Sequence, residues 1–345
     1  MKIAVICGSH SYEHEISIVS AIAMKDVLKC EIEYIFIDKD REFYHIPSKD
    51  MKSKLFSSGE YKKFDKLTIQ KGGFAKKGLF GSKELEFEVL LNLIHGADGE
   101  DGVLSSMFKF FDIKFVGPRV EACAMSYNKQ YTKLYAKEIE VKALDYQVIT
   151  NETRDNIKIE MPFIIKPSRL GSSIGVSIVK QQSELEYALD VAFEFDHEVL
   201  IEPFINEIKE FNLAGAKVDG EYIFSIVEEP QKTEILDFEK KYLDFNRTSR
   251  VSEADITDEQ KEKLKDSFRR VYANIFEGAI IRCDFFMIDD EIYLNEINPA
   301  PGSMANYLFD DFDSVFKRVA KSLPKERIIP INYDYVNKIQ SAKGK

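Results

Sequence analysis

The chain carries no excess of positive charge. Its formal net charge is −11 over 345 residues, which excludes the broad basic surface that non-specific nucleic-acid binding relies on. A phosphate ligand here must meet lysines and arginines gathered locally. Cysteine is scarce: Cys7, Cys30, Cys123 and Cys283 lie far apart with no CxxC pair. This spacing reads as reduced, buried thiols in a cytosolic protein. Long apolar runs are missing too. The N-terminus offers one lysine and the short run "IAVIC", neither a signal peptide nor a membrane span. No internal repeat or low-complexity segment is present. Two common nucleotide signatures are also missing: no GxxxxGK[ST] loop occurs anywhere, and no GxGxxG follows the first strand, which argues against a dehydrogenase of the Rossmann kind.

What is present is an ordinary globular composition, 44% hydrophobic and 31% charged, long enough for two or three domains. "KIAVICGS" reads as a buried strand. "EISIVSAIAMKDVLK" places Ile16, Val19, Ala23 and Val27 on one helical face. "EIEYIFID" and "FEVLLNLI" are further strands, followed by the helix "GVLSSMFKFFDI". Alternating strands and helices predict an open parallel sheet in roughly the first 117 residues. Residues 40–87 interrupt it with polar sequence, as added hairpins or a long excursion. A helix over 128–138 and a strand near 144–149 open a second region. There, "MPFIIKPSRLGSSIGVSIV" reads as strand, glycine-rich loop, strand, and Ser183 with Glu186 is spaced as a capping box for the next helix. "HEVLIEPFI" and "EFNLAGAKV" are strands. Residues 228–250 have no sustained period and are rich in charge, the pattern of a long loop that is either a functional lid or disordered. A helix capped by Thr257 and Gln260 follows.

The stretch "RCDFFMIDDEIYLNEINPAPGS", 281–302, predicts a hairpin. If Asp289, Asp290 and Glu291 form a three-residue loop, position 284 faces 296 and 298 shares their face. Asp284, Glu296 and Asn298 then converge, a set of oxygen ligands suited to a hard divalent cation beside phosphate. A two-residue turn would send Asp284 to the other face, and solvated strand ends account for the spacing as well. In "KPSRLGSSIGV", 166–176, Gly171 and Gly175 make a loop whose amides can approach phosphate, with Lys166 as a point charge. Glycine-rich turns also merely connect strands.

Together these segments resemble the D-alanine–D-alanine ligases of the ATP-grasp superfamily, nearly end to end. "SHSYEHEIS", "LNLIHGADGEDG", "FIIKPSRLGSSIGVS", "EVLIEPFI", "EKKY" and "IRCDFF…YLNEINPAPG" resemble that family's signatures, in order. The resemblance implies an α/β (α+β) ATP-grasp fold in three domains. Residues 1–117 would form the N-terminal α/β domain with the 40–87 insertion, and 118–208 the central subdomain. Residues 209–345 would form the C-terminal subdomain with the lid loop 228–250 and the metal site. It implies ATP-dependent ligation of two D-alanines through an acyl phosphate, for peptidoglycan precursor synthesis, in a cytoplasmic homodimer with no nucleic-acid or membrane partner.

By the same resemblance, Asp284, Glu296 and Asn298 hold two Mg²⁺ ions, for which Mn²⁺ can substitute. Lys129 and Lys166 contact the ATP phosphates, and the Ser172, Ser173 and Gly175 loop closes over the transferred one. Glu202 lies on the adenine side. Glu210, or its neighbour Glu207, meets the ribose. Arg282 and the Gly302 amide stabilise the tetrahedral oxyanion. Glu13 holds the first substrate's ammonium in a trio with Ser172 and Tyr242. His95 lies near that substrate's carboxylate, and Lys241 joins Tyr242 in the lid. One departure stands out: "GSMANYLF" puts Tyr307 where the family carries a serine for the second substrate's carboxylate. A ligase forming D-alanyl-D-lactate, another ATP-grasp carboxylate–amine ligase, and a nucleotide-binding regulator remain the other readings.

Overall fold

The computed structural model describes residues 1–78, 81–230, 251–325 and 327–343. Its first sheet contains β1 (Lys2–Gly8), β2 (Glu31–Ile37), β3 (Phe43–Pro47), β4 (Lys66–Gln70), β5 (Gly73–Gly78), β6 (Gly81–Leu85), β7 (Val89–Asn92) and β8 (Phe115–Val116). The order is β6-β5-β4-β3-β2-β1-β7-β8. Only β2, β1, β7 and β8 run parallel; β3 to β6 extend the sheet with antiparallel pairs. The expected parallel sheet is therefore half of a mixed one, and much of the 40–87 stretch is its antiparallel wing. Burial explains the division. Residues Ile3 to Cys7 are all fully buried, as a parallel strand covered on both faces must be. β6, by contrast, is largely exposed.

The helix His14–Val27 buries Ile16, Ser17, Ile18, Ser20, Ala21, Ala23 and Met24, whereas Val19 and Val27 are only half-buried. The expected single apolar face is replaced by burial on two sides, against the sheet and against the turn Gly302–Leu308. Serines can lie there because their hydroxyls are bonded. Ser17 Oγ accepts from the Gly8 amide at 2.9 Å and donates to the Leu93 carbonyl at 2.8 Å.

The second sheet, ordered β11-β10-β12-β9, is antiparallel throughout: β9 (Gln147–Ile149), β10 (Phe163–Pro167), β11 (Ser177–Val179) and β12 (Val199–Pro203). Phe163, Ile165, Val199 and Ile201 share a core with the helix Leu185–Phe193. Strand alternation therefore sends Lys166 and Glu202 to the opposite face. The capping box is formed by Gln181 and Glu184, not Ser183 and Glu186, because a 3-10 turn over Gln182–Glu184 precedes the helix. The third sheet has the order β14-β13-β15-β16, from β13 (Lys209–Val218), β14 (Glu221–Glu228), β15 (Ile281–Ile288) and β16 (Glu291–Asn298). It is covered by the helix Asp258–Tyr272, whose Thr257–Gln260 capping box is formed as expected. The four cysteines are free; Cys7, Cys123 and Cys283 are buried and Cys30 is half-buried. Among the described residues, no helix is long and apolar enough to cross a membrane.

Candidate active site

The hairpin of β15 and β16 closes by a two-residue turn. Ile288 pairs with Glu291, and Asp289 and Asp290 both take left-handed backbone, φ 50° and 60°, as the tightest hairpin turns require. The three-residue loop is thus not formed. That register alone would put Asp284 on the wrong face, but a β-bulge corrects it. Phe285 pairs with Leu294 while Asp284 pairs with Glu296, so Asn295 is the extra residue. Arg282 then faces Asn298, and Arg282, Asp284, Glu296 and Asn298 share one face. Cys283, Phe285, Leu294 and Ile297 line the core.

Arg282 holds Asp284 with two parallel bonds, Nε to Oδ1 at 2.7 Å and Nη2 to Oδ2 at 2.8 Å. Asn298 Nδ2 adds a third at 3.0 Å. Burial pushes the Asp284 carboxyl up; Arg282 opposes this and the adjacent Glu296 reinforces it, leaving it near 6. A buried and a half-buried carboxylate side by side, with a carboxamide alongside, fit a divalent cation. Among the described residues, no group of three or more His, Cys, Asp or Glu could hold a metal; here the third donor is Asn298.

Facing the hairpin is the glycine-rich loop. Ser172 and Ser173 take left-handed backbone, and a Cβ on Gly175 would come within 2.8 Å of Phe195 and Pro167. A Cβ on Gly171 would sit 3.1 Å from Glu13 Oε1, so that glycine lets the loop close onto the start of the helix His14–Val27. Ser172 Oγ donates to Glu13 Oε1 at 2.5 Å. Among the described residues, Glu13 Oε2 is buried with no hydrogen-bond partner, an acceptor ready for an ammonium ion. Burial raises the Glu13 carboxyl, against the bond from Ser172 and the charge of Lys129. Lys129 opens the helix Lys129–Glu138 and donates to the Leu170 carbonyl. Burial lowers the pKa of Lys129, with the charge of Glu296 opposing. Lys166 pairs with Glu202 at 2.6 Å. Burial lowers Lys166, but Glu202 outweighs it and the net shift is upward.

His95 follows β7 and is held neutral, burial depressing it to about 4. Its Nε2 meets Ser20 Oγ at 2.9 Å, and the same hydroxyl accepts from the Ser303 amide at 3.1 Å. Gly302 is buried at the start of that turn. Glu210 is half-buried on β13 and its charge bears on Lys166, whereas Glu207 is exposed in a turn. Tyr307 packs against the core, and its hydroxyl lies within the electrostatic reach of Arg282. Lys241 and Tyr242 lie outside the described residues, as does most of the 228–250 loop. Three residues were not foreseen. Lys133 pairs with Glu202, and its position one turn after Lys129 was an available signal. Ser20 was hidden on an apolar face. Glu100, which accepts from the Gly96 amide at 2.8 Å, stood unnoticed inside "HGADGEDG". A cavity of about 40 Å³ lies among Lys129, Gly171, Glu296 and Asn298. A larger one of about 800 Å³, bounded by Met1, Phe87, Lys114 and Lys321, contains none of the chemistry.

Three sheets that converge lysines, a glycine-rich loop and a carboxylate hairpin define an ATP-grasp enzyme. Comparison with known proteins narrows the class. Residues 2–118 match the family model described as D-ala D-ala ligase N-terminus, and 132–313 match D-ala D-ala ligase C-terminus. A D-alanine–D-alanine ligase of Sulfurovum sp. is 58% identical, covering 100% of each chain. One from Campylobacter concisus is 56% identical over 100% of this chain and 99% of its own. The crystal structure of the Helicobacter pylori D-alanine–D-alanine ligase superposes with a TM-score of 0.85 at 47% identity, covering 95% of this chain and 100% of that one. The chain belongs to the D-alanine–D-alanine ligase family, whose members are ATP-dependent ligases that use a divalent metal. A D-Ala:D-Ser ligase from Enterococcus faecalis, 24% identical with a TM-score of 0.70 and covering 93% of this chain and 97% of that one, shares the fold. Fold alone does not fix the second substrate.

Proposed function

We infer that this chain catalyses the ATP-dependent ligation of two D-alanines to D-alanyl-D-alanine, for peptidoglycan synthesis. The observation that carries the reading is the buried Glu13 Oε2, unpartnered among the described residues, which supplies an ammonium acceptor directly beside the loop of Ser172. In this reading Glu13 takes the first substrate's ammonium, and neutral His95 meets its carboxylate as a hydrogen-bonding group, not as a cation. ATP phosphorylates that carboxylate, and the second substrate's amine then attacks the acyl phosphate. Arg282 and the Gly302 amide face the tetrahedral oxyanion. The bond pair to Asp284 fixes the guanidinium plane, so the donors are aimed before charge develops. Two Mg²⁺ ions, replaceable by Mn²⁺, would be held by Asp284, Glu296 and Asn298 and would neutralise phosphate charge. Lys129, Lys166 and the loop residues Ser172, Ser173 and Gly175 orient the phosphates. Glu202 serves the adenine side. Glu210 rather than the exposed Glu207 serves the ribose. Lys241 and Tyr242 complete the site from the lid loop, and the enzyme works as a cytoplasmic homodimer. Phosphate release from ATP tests the reading. D-alanine alone should support release and yield the dipeptide. Equal release with L-alanine, or faster release when D-lactate is the acceptor, would overturn it.

A further inference from the structure

Behind the nucleotide side of the site lies a buried line of charge. Lys133 and Glu202 are 4% and 2% exposed in their side chains. Lys133 reaches Glu202 Oε1 from the helix Lys129–Glu138, with its ammonium 5.9 Å from the centre of the Tyr146 ring. Lys166 takes the other oxygen at 2.6 Å and also touches Asn295 Oδ1 at 3.4 Å. Burial pushes the Glu202 carboxyl up, but the two lysines outweigh it and hold it at about 2. The carboxylate is therefore ionised, and the trio carries two cations against one anion. The two lysines differ in what else they reach. Lys133 is enclosed by its helix and Tyr146; Lys166 looks onto the glycine-rich loop and the hairpin.

We propose that Lys133 is a positioning residue for the nucleotide: it balances the charge of Glu202, so that the charge of Lys166 is left for the ATP phosphates. This rests on the reading of Lys166 as a phosphate contact. Without Lys133, the ionised Glu202 would have Lys166 as its one direct ionic partner among the described residues and would draw it inward, since a buried anion demands compensation. Glu296 and Glu210 also bear on Lys166, and Asp145 on Lys133; none of these is altered by substituting Lys133.

The test is calorimetric binding of ATP, ADP and adenosine at fixed magnesium and ionic strength. Lys133→Met keeps the chain's length without its charge. ATP and ADP should bind about tenfold more weakly, and adenosine within about twofold of the wild type. Lys133→Met combined with Glu202→Gln should restore the ATP-to-adenosine affinity ratio, because anion and counter-cation leave together; a merely structural lesion would not be mended by a second buried substitution. Glu202→Gln alone should raise that ratio, which keeps the proposal testable if Lys133→Met does not fold. Lys166→Met separates the two layers. If it binds ATP like the wild type, the phosphate reading of Lys166 is wrong. If it weakens ATP while Lys133→Met does not, or if Lys133→Met weakens ATP and adenosine alike, the positioning role is overturned. A fall in the ratio for Glu202→Gln would also overturn it.

Discussion

Glu296→Gln should make the metal-free protein lose less stability as pH rises and the enzyme far less active. The reasoning starts from Asp284, whose carboxyl rises from an ordinary 3.8 to about 6. That gap corresponds to roughly 3 kcal/mol. Because the folded-state pKa lies above the unfolded one, the folded protein holds more protons between those values. The group therefore lowers stability as pH rises through that window, and its cost is complete above about pH 6. Burial is the largest cause and Glu296 a smaller one, so removing the neighbouring charge should recover on the order of 1 kcal/mol. Glu296 also draws Lys129 and Lys166, an attraction the variant lacks at either pH, so the check is the change with pH: in thermal unfolding with a chelator, the variant's melting temperature relative to the wild type should be about 2 °C higher at pH 7.5 than at pH 5. At pH 5 Asp284 is mostly protonated in the wild type, and little repulsion is left to relieve. Adding magnesium and ATP should then stabilise the wild type and leave the variant behind, with turnover lower by ~100-fold or more. A relative melting temperature that does not rise between pH 5 and pH 7.5 in chelator, or near-normal turnover at saturating magnesium, would refute the idea of a repelling pair held for a cation.

Two further outcomes follow from the contacts. Ser20→Ala removes the hydroxyl shared by His95 and the Ser303 amide; it should cost ~1–3 kcal/mol in denaturant unfolding and raise the first-substrate KM more than the KM for ATP. Tyr307→Phe keeps the ring packing but takes the phenol from Arg282, so kcat should fall while Tm stays within about 1 °C. An unchanged kcat would show that the phenol does not orient the guanidinium.

The parallel half of the first sheet was legible because β1 and β7 are short continuous apolar runs between glycines and helices, which is how fully buried strands look in sequence. The antiparallel wing was not. Its strands are polar on at least one face and much of β6 is exposed, so no burial pattern specified which edge they join. The first helix misled for a related reason. Periodicity counts apolar residues, and Ser17 and Ser20 are buried because their hydroxyls find partners in β1, at Leu93 just past β7 and in the Gly302–Leu308 turn, none of which is on the helix itself.

The hairpin shows how a correct convergence can rest on a mistaken local step. Alternation required Asp284 and Glu296 to face each other, and a three-residue loop was one way to achieve that. The chain instead uses the tight Asp289–Asp290 turn, which by itself misplaces Asp284, and then inserts Asn295 as a bulge that shifts the register back by one. The two departures cancel at the open end of the hairpin and nowhere else. Between them, Phe285 through Ile288 keep the register of the short turn; beyond the bulge, Arg282 and Asp284 meet Asn298 and Glu296. No sequence pattern marks Asn295 as unpaired, since a bulge is chosen by the strain and twist of the whole ladder. The inserted residue also has a use: its side chain reaches Lys166 at 3.4 Å, tying the hairpin to the lysine beside the glycine-rich loop. Deleting Asn295 should therefore separate its two roles. With the extra residue gone, the same turn runs into a regular ladder that pairs Asp284 with Glu296 and Arg282 with Asn298, so magnesium-dependent turnover should survive while the contact to Lys166 is lost; abolished turnover would show that the bulge's twist, and not the register alone, aims these side chains.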